Sequence, residues 1–475
     1  MQSENVNGWE KSLYWLTDTT LLALLMGYGS VALLLAAGTT FNLRILPTLA
    51  LGVVTVAAVA WAGRGRFALP PTQSGPGEGR SLVAVIVAGV AARVGAWLVL
   101  SPQPFSDFVV YFRSAEHLVR YGAYRVPETE GLLIAYRPPG TAFLHAMAMK
   151  ALGVVAWAPL ALNCVLFAAT SWLLWHAVRD RVTRTAALGT VVLLAFWPSD
   201  VLYASFAQSE SPSLVGVALL MYLLAKRGER LGGWSAATGL TTGLLCLVRS
   251  SNLLLVPVWM LAAVRERVGW PVRLRYCALI TITVMLPILP WTYRNYLALG
   301  EPVLISTNGG ENLYSANNPW SGGSWDETSS RRARELLPDE LKMDRTAKQW
   351  AIEWIRSNPR ECVKLAVNKL RILMSTDDQG VYHVIERGSR CTGPGVLVAR
   401  AVANAWWVLL WGLVFTCIRL GSPPGWGSTG FAVLALAAVP ALLFLLFQSQ
   451  PRYHVPMVPP LLALAGRALA SRRSS

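Results

Sequence analysis

The sequence predicts an all-α fold: a polytopic bundle of about twelve transmembrane helices with two large extracytoplasmic loops that carry amphipathic helices. Three observations predict it. Hydrophobic residues make up 54% of the chain and charged residues only 14%, with a mean hydropathy of +0.43. Soluble domains carry about 25% charged residues, so this chain has too few charges to cover a water-facing surface. The apolar residues also fall in runs of about twenty, the length an α-helix needs to cross ~30 Å of hydrocarbon. Finally, the basic residues are concentrated in short connections that alternate along the chain. The ten-residue alternating segments of a membrane β-barrel are not visible.

Taken in order, the spans are Leu21–Gly38, Arg44–Trp61, Ser81–Leu100, Ala158–Val178, Ala186–Leu202, Pro212–Ala225, Trp234–Val248, Leu253–Val264, Cys277–Pro290, Gly395–Cys417, Thr429–Phe447 and His454–Leu469. Several are short, which points to tilt or local bilayer thinning. The first two form an N-terminal hairpin, joined to the rest by a Pro/Gly-rich cytoplasmic linker, so that residues 1–80 make one unit. The main transmembrane module is 81–293, with a first outer loop at 101–157. An extracytoplasmic loop domain occupies 294–394, and C-terminal transmembrane helices occupy 395–475.

Charge sets the orientation. The net charge of +16 comes largely from Arg64, Arg66 and Arg80; Arg179, Arg181 and Arg184; Lys226, Arg227 and Arg230; Arg265, Arg267, Arg273 and Arg275; Arg419; and Arg472 and Arg473. Placing these connections inside puts both termini in the cytoplasm, as the positive-inside rule requires. The charge then reports topology and contact with anionic membrane lipids, and a nucleic-acid partner is not expected. The first residues, with Glu4, Glu10, Lys11 and Asp18, do not read as a cleavable signal. Cys164, Cys246, Cys277 and Cys417 lie in apolar runs, whereas Cys362 and Cys391 share one long loop and form a disulfide if it faces an oxidising compartment.

The two outer segments, Ser101–Trp157 and Trp291–Pro394, are too long to be simple links. In the first, Phe108, Phe112, Ala115 and Leu118–Val119 recur at helical spacing after Asp107, and a second short helix opens at Arg137-Pro-Pro-Gly140. Both read as helices lying at the interface. The second outer segment is polar and Gly/Asn-rich at first, then helical around Asp344–Met374 with a break at Asn358-Pro359.

No His-Glu-x-x-His, Cys/His cluster, Gly-x-Ser-x-Gly or Walker motif is present. What remains is a set of polar residues at the outer ends of spans: Asp107, Asp200, Glu210, Arg249 and Arg452-Tyr453. Carboxylates can take protons from hydroxyl nucleophiles, and arginine can hold a phosphate through its bidentate fork. Each residue also has a structural reading. Asp107 and Glu210 stand at helix starts, where an acid is favoured by the dipole. Arg249 and Arg452 can anchor a helix by snorkelling to headgroups. Arg93 lies inside the third span, where it calls for a structural partner.

Four stretches, in order, resemble the GT-C superfamily of membrane glycosyltransferases, in the branch of protein O-mannosyltransferases and of the aminoarabinose and galacturonic-acid transferases of lipid A. They are Ser106-Asp-Phe-Val-Val-Tyr111 with Gly122-Ala-Tyr124; Tyr136-Arg-Pro-Pro-Gly140; Arg294-Asn-Tyr296 with Asn308-Gly-Gly-Glu-Asn-Leu-Tyr314 and Ala316-Asn-Asn-Pro319; and Gln450-Pro-Arg-Tyr-His-Val-Pro456. The resemblance implies an inverting enzyme that moves a sugar from a polyprenyl phosphate to an acceptor hydroxyl on a lipid, glycan or protein, at the outer face of the cytoplasmic membrane. It implies Asp107 as general base and Glu210 as an acid that orients the acceptor or helps to hold a divalent metal ion. Arg249 and Arg452 are the implied contacts of the donor phosphate, and Tyr111, Arg137, Asn312, Asn317 and Tyr453 the implied substrate contacts. This chain has Asp107-Phe108 where many relatives have an Asp-Glu pair. A lipid-linked sugar flippase, or a polymerase or ligase acting on preassembled glycan, stays open as an alternative. A flippase would carry ionisable groups near mid-membrane, broken helices and an internal repeat.

Overall fold

The computed structural model describes residues 78–128, 131–227, 231–266, 268–419 and 427–471. The hairpin expected at Leu21–Trp61 lies outside the described residues. Every span expected within them overlaps helical structure, but one is divided between two helices and the bounds of others differ. Helix α1 (Glu78–Leu100) is followed by α2 (Asp107–Tyr121), strands β1 (Val126–Glu128) and β2 (Gly131–Leu133), and α3 (Gly140–Leu152). Then come α4 (Ala158–Val178), α5 (Arg184–Ala195), α6 (Pro198–Tyr203), α7 (Glu210–Ala225), α8 (Leu231–Val248), α9 (Leu255–Val264) and α10 (Trp270–Leu299). The second outer segment holds α11 (Gly309–Ala316), α12 (Glu327–Arg334), α13 (Glu340–Ser357), α14 (Pro359–Ser375) and a π-helical turn at Val381–Gly388. The chain returns through α15 (Pro394–Arg419), α16 (Gly427–Leu443), a 3-10 turn at Pro451–Met457 and α17 (Val458–Ser471).

Five of these helices are long and apolar enough to cross a membrane on their own: Gly79–Leu100, Ala158–Val178, Leu231–Val248, Trp270–Leu299 and Pro394–Arg419. Shorter apolar helices at Arg184–Ala195, Glu210–Ala225, Ser250–Val264 and Gly430–Leu443 complete the apolar set. The protein is thus a polytopic helical membrane protein. The expected span Ala186–Leu202 is two helices, because Pro198 lacks an N–H and forces Trp197 into an extended conformation (φ −66°, ψ 113°). By contrast, the span expected at Cys277–Pro290 is the middle of a 30-residue helix, roughly 45 Å long, whose outer end runs on into the loop domain.

Helix α8 packs closely along α10 because Gly239 and Gly243 face it. A Cβ on Gly239 would sit 2.0 Å from Thr283 Oγ1, and one on Gly243 2.2 Å from the Val284 carbonyl oxygen. This is the small-xxx-small device of membrane helix pairs.

The fold departs from all-α in one place: β1 and β2 form a short antiparallel hairpin with Val126 opposite Leu133. The hairpin joins the two outer segments. Tyr124, Val126, Leu133 and Tyr136 share an apolar core with Trp291, Tyr314, Met343 and Ala347. A separate apolar cluster seats the start of α2: Phe108 packs with Tyr203, Phe206, Val381 and Val384. The break expected at Asn358-Pro359 falls between α13 and α14. Cys362 and Cys391 are free thiols, so the disulfide considered from the sequence is not formed.

Candidate active site

A cavity of about 1520 Å³ opens where segments 101–157 and 291–394 meet the start of α7 and the ends of α8 and α16. Ordinary small-ligand pockets measure about 300–1,000 Å³, so there is room for two substrates. Asp107, Tyr111, Arg137, Glu210, Arg249, Asn312, Arg452 and Tyr453 all line it.

Asp107 is the first residue of α2, and no side chain caps that helix. The preceding Ser106 has φ 50° and ψ −132°. For a non-glycine residue this left-handed conformation costs about 1–3 kcal/mol, a kind of strain that collects at functional sites. Its consequence is that the Asp107 carboxylate points into the cavity. Arg137 Nη2 lies 3.0 Å from Oδ1, and Arg452 Nη2 donates to Oδ2. Burial alone would push this carboxyl up. The two guanidiniums more than offset it and hold Asp107 well below the usual carboxylate range.

Glu210 begins α7, but that helix is capped by Gln208, whose Oε1 accepts from the backbone N–H of Glu210 (2.6 Å) and of Ser211 (3.1 Å). The Glu210 carboxylate is therefore available to the cavity. It accepts from Arg249 Nη2 at 2.5 Å and lies 3.9 Å from Arg452 Nε. Arg249 also donates from Nε to Ser209 Oγ at 2.8 Å. These contacts turn both acids and both arginines toward one another in the cavity. Arg452 is 9% exposed. It is fixed by its backbone N–H on Gln379 Oε1 (2.8 Å) and its Nε on Gln450 Oε1 (3.1 Å).

Behind this cluster stands a second one that the sequence did not suggest. Arg137 Nη2 is 3.3 Å from Glu128 on the hairpin, and Glu128 is 3.5 Å from Arg334 on α12. Arg334 donates to Glu311 at 3.0 Å, and Glu311 also accepts from Tyr136 and Ser330 hydroxyls. These residues are far apart in sequence, so no spacing signals them; only Tyr136, Arg137 and Glu311 fall inside the motifs quoted above. His383, on the π-helical turn, also lines the cavity. Burial, and then the Arg452 charge, push it down to about 3, so its ring is neutral.

Two residues, Asn317 and Asp200, behave differently from expectation. Asn317 does not line the cavity. Its Oδ1 accepts from Lys369 Nζ at 2.8 Å and its Nδ2 donates to the carbonyls of Leu313 and Leu446, so it ties α11 to α14 and the end of α16. Asp200 does not join the acids of the outer face. It is buried against Arg93, the charge inside the third expected span. Tyr453 does line the cavity, with its ring stacked on Phe444 at 5.2 Å between centroids. Among the described residues no group of three or more His, Cys, Asp or Glu is placed to hold a metal. Asp107 and Glu210 both face guanidiniums, and this pair does not fit a divalent ion.

Residues 136–291 match the family model of dolichyl-phosphate-mannose-protein mannosyltransferases. Over this stretch, about a third of the chain, the sequence is similar to that family. The matched residues include Arg137, Glu210 and Arg249, while Asp107 and Arg452 fall on either side. No individual curated protein matches the sequence. Among solved structures, the fold is similar to the Archaeoglobus fulgidus oligosaccharyltransferase in complex with Zn and sulfate, with a TM-score of 0.51 and 12% identity over 82% of this chain and 48% of that one. Its apo form gives 0.50 and 13% over 82% and 50%. ArnT from Cupriavidus metallidurans bound to undecaprenyl phosphate aligns at 14% identity, covering 82% of this chain and 77% of that one, with a TM-score of 0.40. The chain spans about half the length of the archaeal proteins.

Proposed function

We propose that this protein is an inverting glycosyltransferase that moves a sugar from a polyprenyl-phosphate donor to an acceptor hydroxyl on the outer face of the cytoplasmic membrane. The observation that carries this reading is the cavity floor, where one carboxylate, Asp107, sits between two fixed guanidiniums from distant parts of the chain. The acceptor oxygen attacks the anomeric carbon while the bond from that carbon to the phosphate oxygen breaks. The phosphate keeps the electron pair, and Asp107 takes the hydroxyl proton. Arg452 and Arg249 bear the charge that collects on the leaving phosphate.

Other features agree. Leu443, Phe444 and Phe447, at the end of α16, give the cavity an apolar wall where a prenyl chain enters from lipid. The basic connections lie at the opposite helix ends: α4 ends at Arg179 and α7 at Lys226–Arg227, whereas Glu210 opens α7 and Arg249 follows α8. An activated donor needs no nucleotide. The charge inside a span that the flippase alternative would draw on is Arg93. Arg93 is neutralised by Asp200 and donates to the carbonyls of Gly89 (2.9 Å) and Ala195 (3.0 Å), a closed pair that does not line the cavity.

The test is the purified protein in detergent with a panel of polyprenyl-phosphate sugars and a lipid and glycan extract of its host, reading released polyprenyl phosphate. Release from at least one donor is expected. No release from any donor by folded protein overturns the reading.

A further inference from the structure

The cavity holds its own counterions. Asp107 is matched by Arg137 and Arg452, Glu210 by Arg249 and Arg452, and Glu128 by Arg137 and Arg334. Arg137, Arg249, Arg334 and Arg452 are each engaged by a carboxylate. A phosphate that takes a bidentate fork on Arg137 or Arg452 needs the Nη2 group that holds Asp107. The carboxylate with most to lose is Asp107, because both its oxygens are held by arginine within 3.0 Å, whereas Glu128 lies 3.3 and 3.5 Å from its two arginines and Glu210 keeps Arg249 and Ser209 close at hand.

We propose that the donor phosphate and Asp107 compete for Arg137 and Arg452, so that binding of the donor itself releases the Asp107 carboxylate to act as base. The inference rests on the glycosyltransferase reading. Other groups around Asp107 do not substitute for the arginines. Tyr111 lies on its own helix, Tyr453 follows Arg452, and His383 on the π-helical turn is neutral. In the empty cavity the paired carboxylate is a poor base, which guards against idle chemistry. In the loaded cavity the same carboxylate is buried, stripped of positive partners and beside a new anion. Each of these changes raises its affinity for a proton. Order of binding follows: the acceptor hydroxyl meets a competent base only after the donor has seated.

The test uses proton linkage and does not require turnover. Undecaprenyl phosphate is titrated into the detergent-solubilised protein by calorimetry at about pH 4.5, in buffers of different ionisation enthalpy. Net uptake of up to about one proton per bound ligand is expected, because Asp107 binds a proton in the complex that it does not bind before. Pairing with arginine makes the ligand's own phosphate release protons, so net uptake is diagnostic in sign. Undecaprenol, which has the tail without the phosphate, should give no uptake in the same wild-type protein, and Asp107→Asn should abolish the uptake while still binding undecaprenyl phosphate. Binding without proton uptake overturns this inference and leaves the reaction class standing. Failure of the folded protein to bind undecaprenyl phosphate overturns the phosphate site, and with it both readings.

Discussion

Arg93 and Asp107 show two uses of an arginine–carboxylate pair in one chain. The Arg93–Asp200 pair is shut inside the bundle, with Arg93 fully buried, its guanidinium 3.5 Å from the centre of the Phe167 ring and two backbone carbonyls accepting from its Nη1. Removing one partner of such a pair strands the other, at a cost of about 3–5 kcal/mol, whereas replacing both by apolar residues is often nearly neutral. We therefore expect Arg93→Met to lower thermal stability in detergent severely, and Arg93→Met combined with Asp200→Leu to recover most of the loss. Equal instability of the single and double variants would show that the pair does more than neutralise itself. Asp107 is 26% exposed, lines a cavity and sits after a strained Ser106, which marks a pair that is meant to be opened. The sequence pointed to Asp107, Glu210, Arg249 and Arg452 as a group because each stands at an outer helix end. It pointed equally to Asp200 and Asn317, which turn out to be structural. Position along a helix reports depth in the membrane; it does not report which way a side chain is turned around the bundle.

At the scale of elements, apolar run length located the helices well and their ends poorly. Pro198 splits one expected span, because a proline only breaks a helix where neighbours do not restore the missing bond. Helix α10 keeps Pro287 and Pro290 in its interior and still runs 30 residues. The β1–β2 hairpin was not legible either, since three-residue strands carry too little alternation to register. The packing of α8 on α10 was within reach of the sequence through Gly239 and Gly243. Replacing Gly243 by Leu puts a side chain where the Val284 carbonyl now lies. We expect that variant to lose most of its folded yield and thermal stability. A Leu at Gly233, where an added Cβ meets nothing within 4 Å, should be tolerated. Equal stability of the two would contradict the close approach of these helices.

For the whole molecule, the arrangement places a charged cavity against an apolar wall at one end of a helical bundle, and places Arg179, Arg181, Lys226 and Arg227 at the opposite ends of α4 and α7. A polyprenyl-phosphate substrate requires that geometry, because its tail stays in lipid while its sugar meets an acceptor in water. The orientation can be checked with the protein's own thiols. Cys391 is exposed in the second outer segment, whereas Cys246 and Cys417 are buried. In intact cells a membrane-impermeant maleimide should label Cys391 from outside the cytoplasmic membrane, and Cys391→Ser should remove that label. Labelling only after the membrane is breached would invert the topology and move the cavity to the cytoplasmic side.

The central claim is that Asp107 is the base of a sugar transfer from a polyprenyl phosphate. The most direct measurement is a single-turnover comparison of wild type with Asp107→Asn on one accepted donor, following the labelled sugar into acceptor. The account predicts a fall of roughly 10²–10⁴-fold in the transfer rate with the donor still bound. A variant that transfers sugar as fast as the wild type would contradict it.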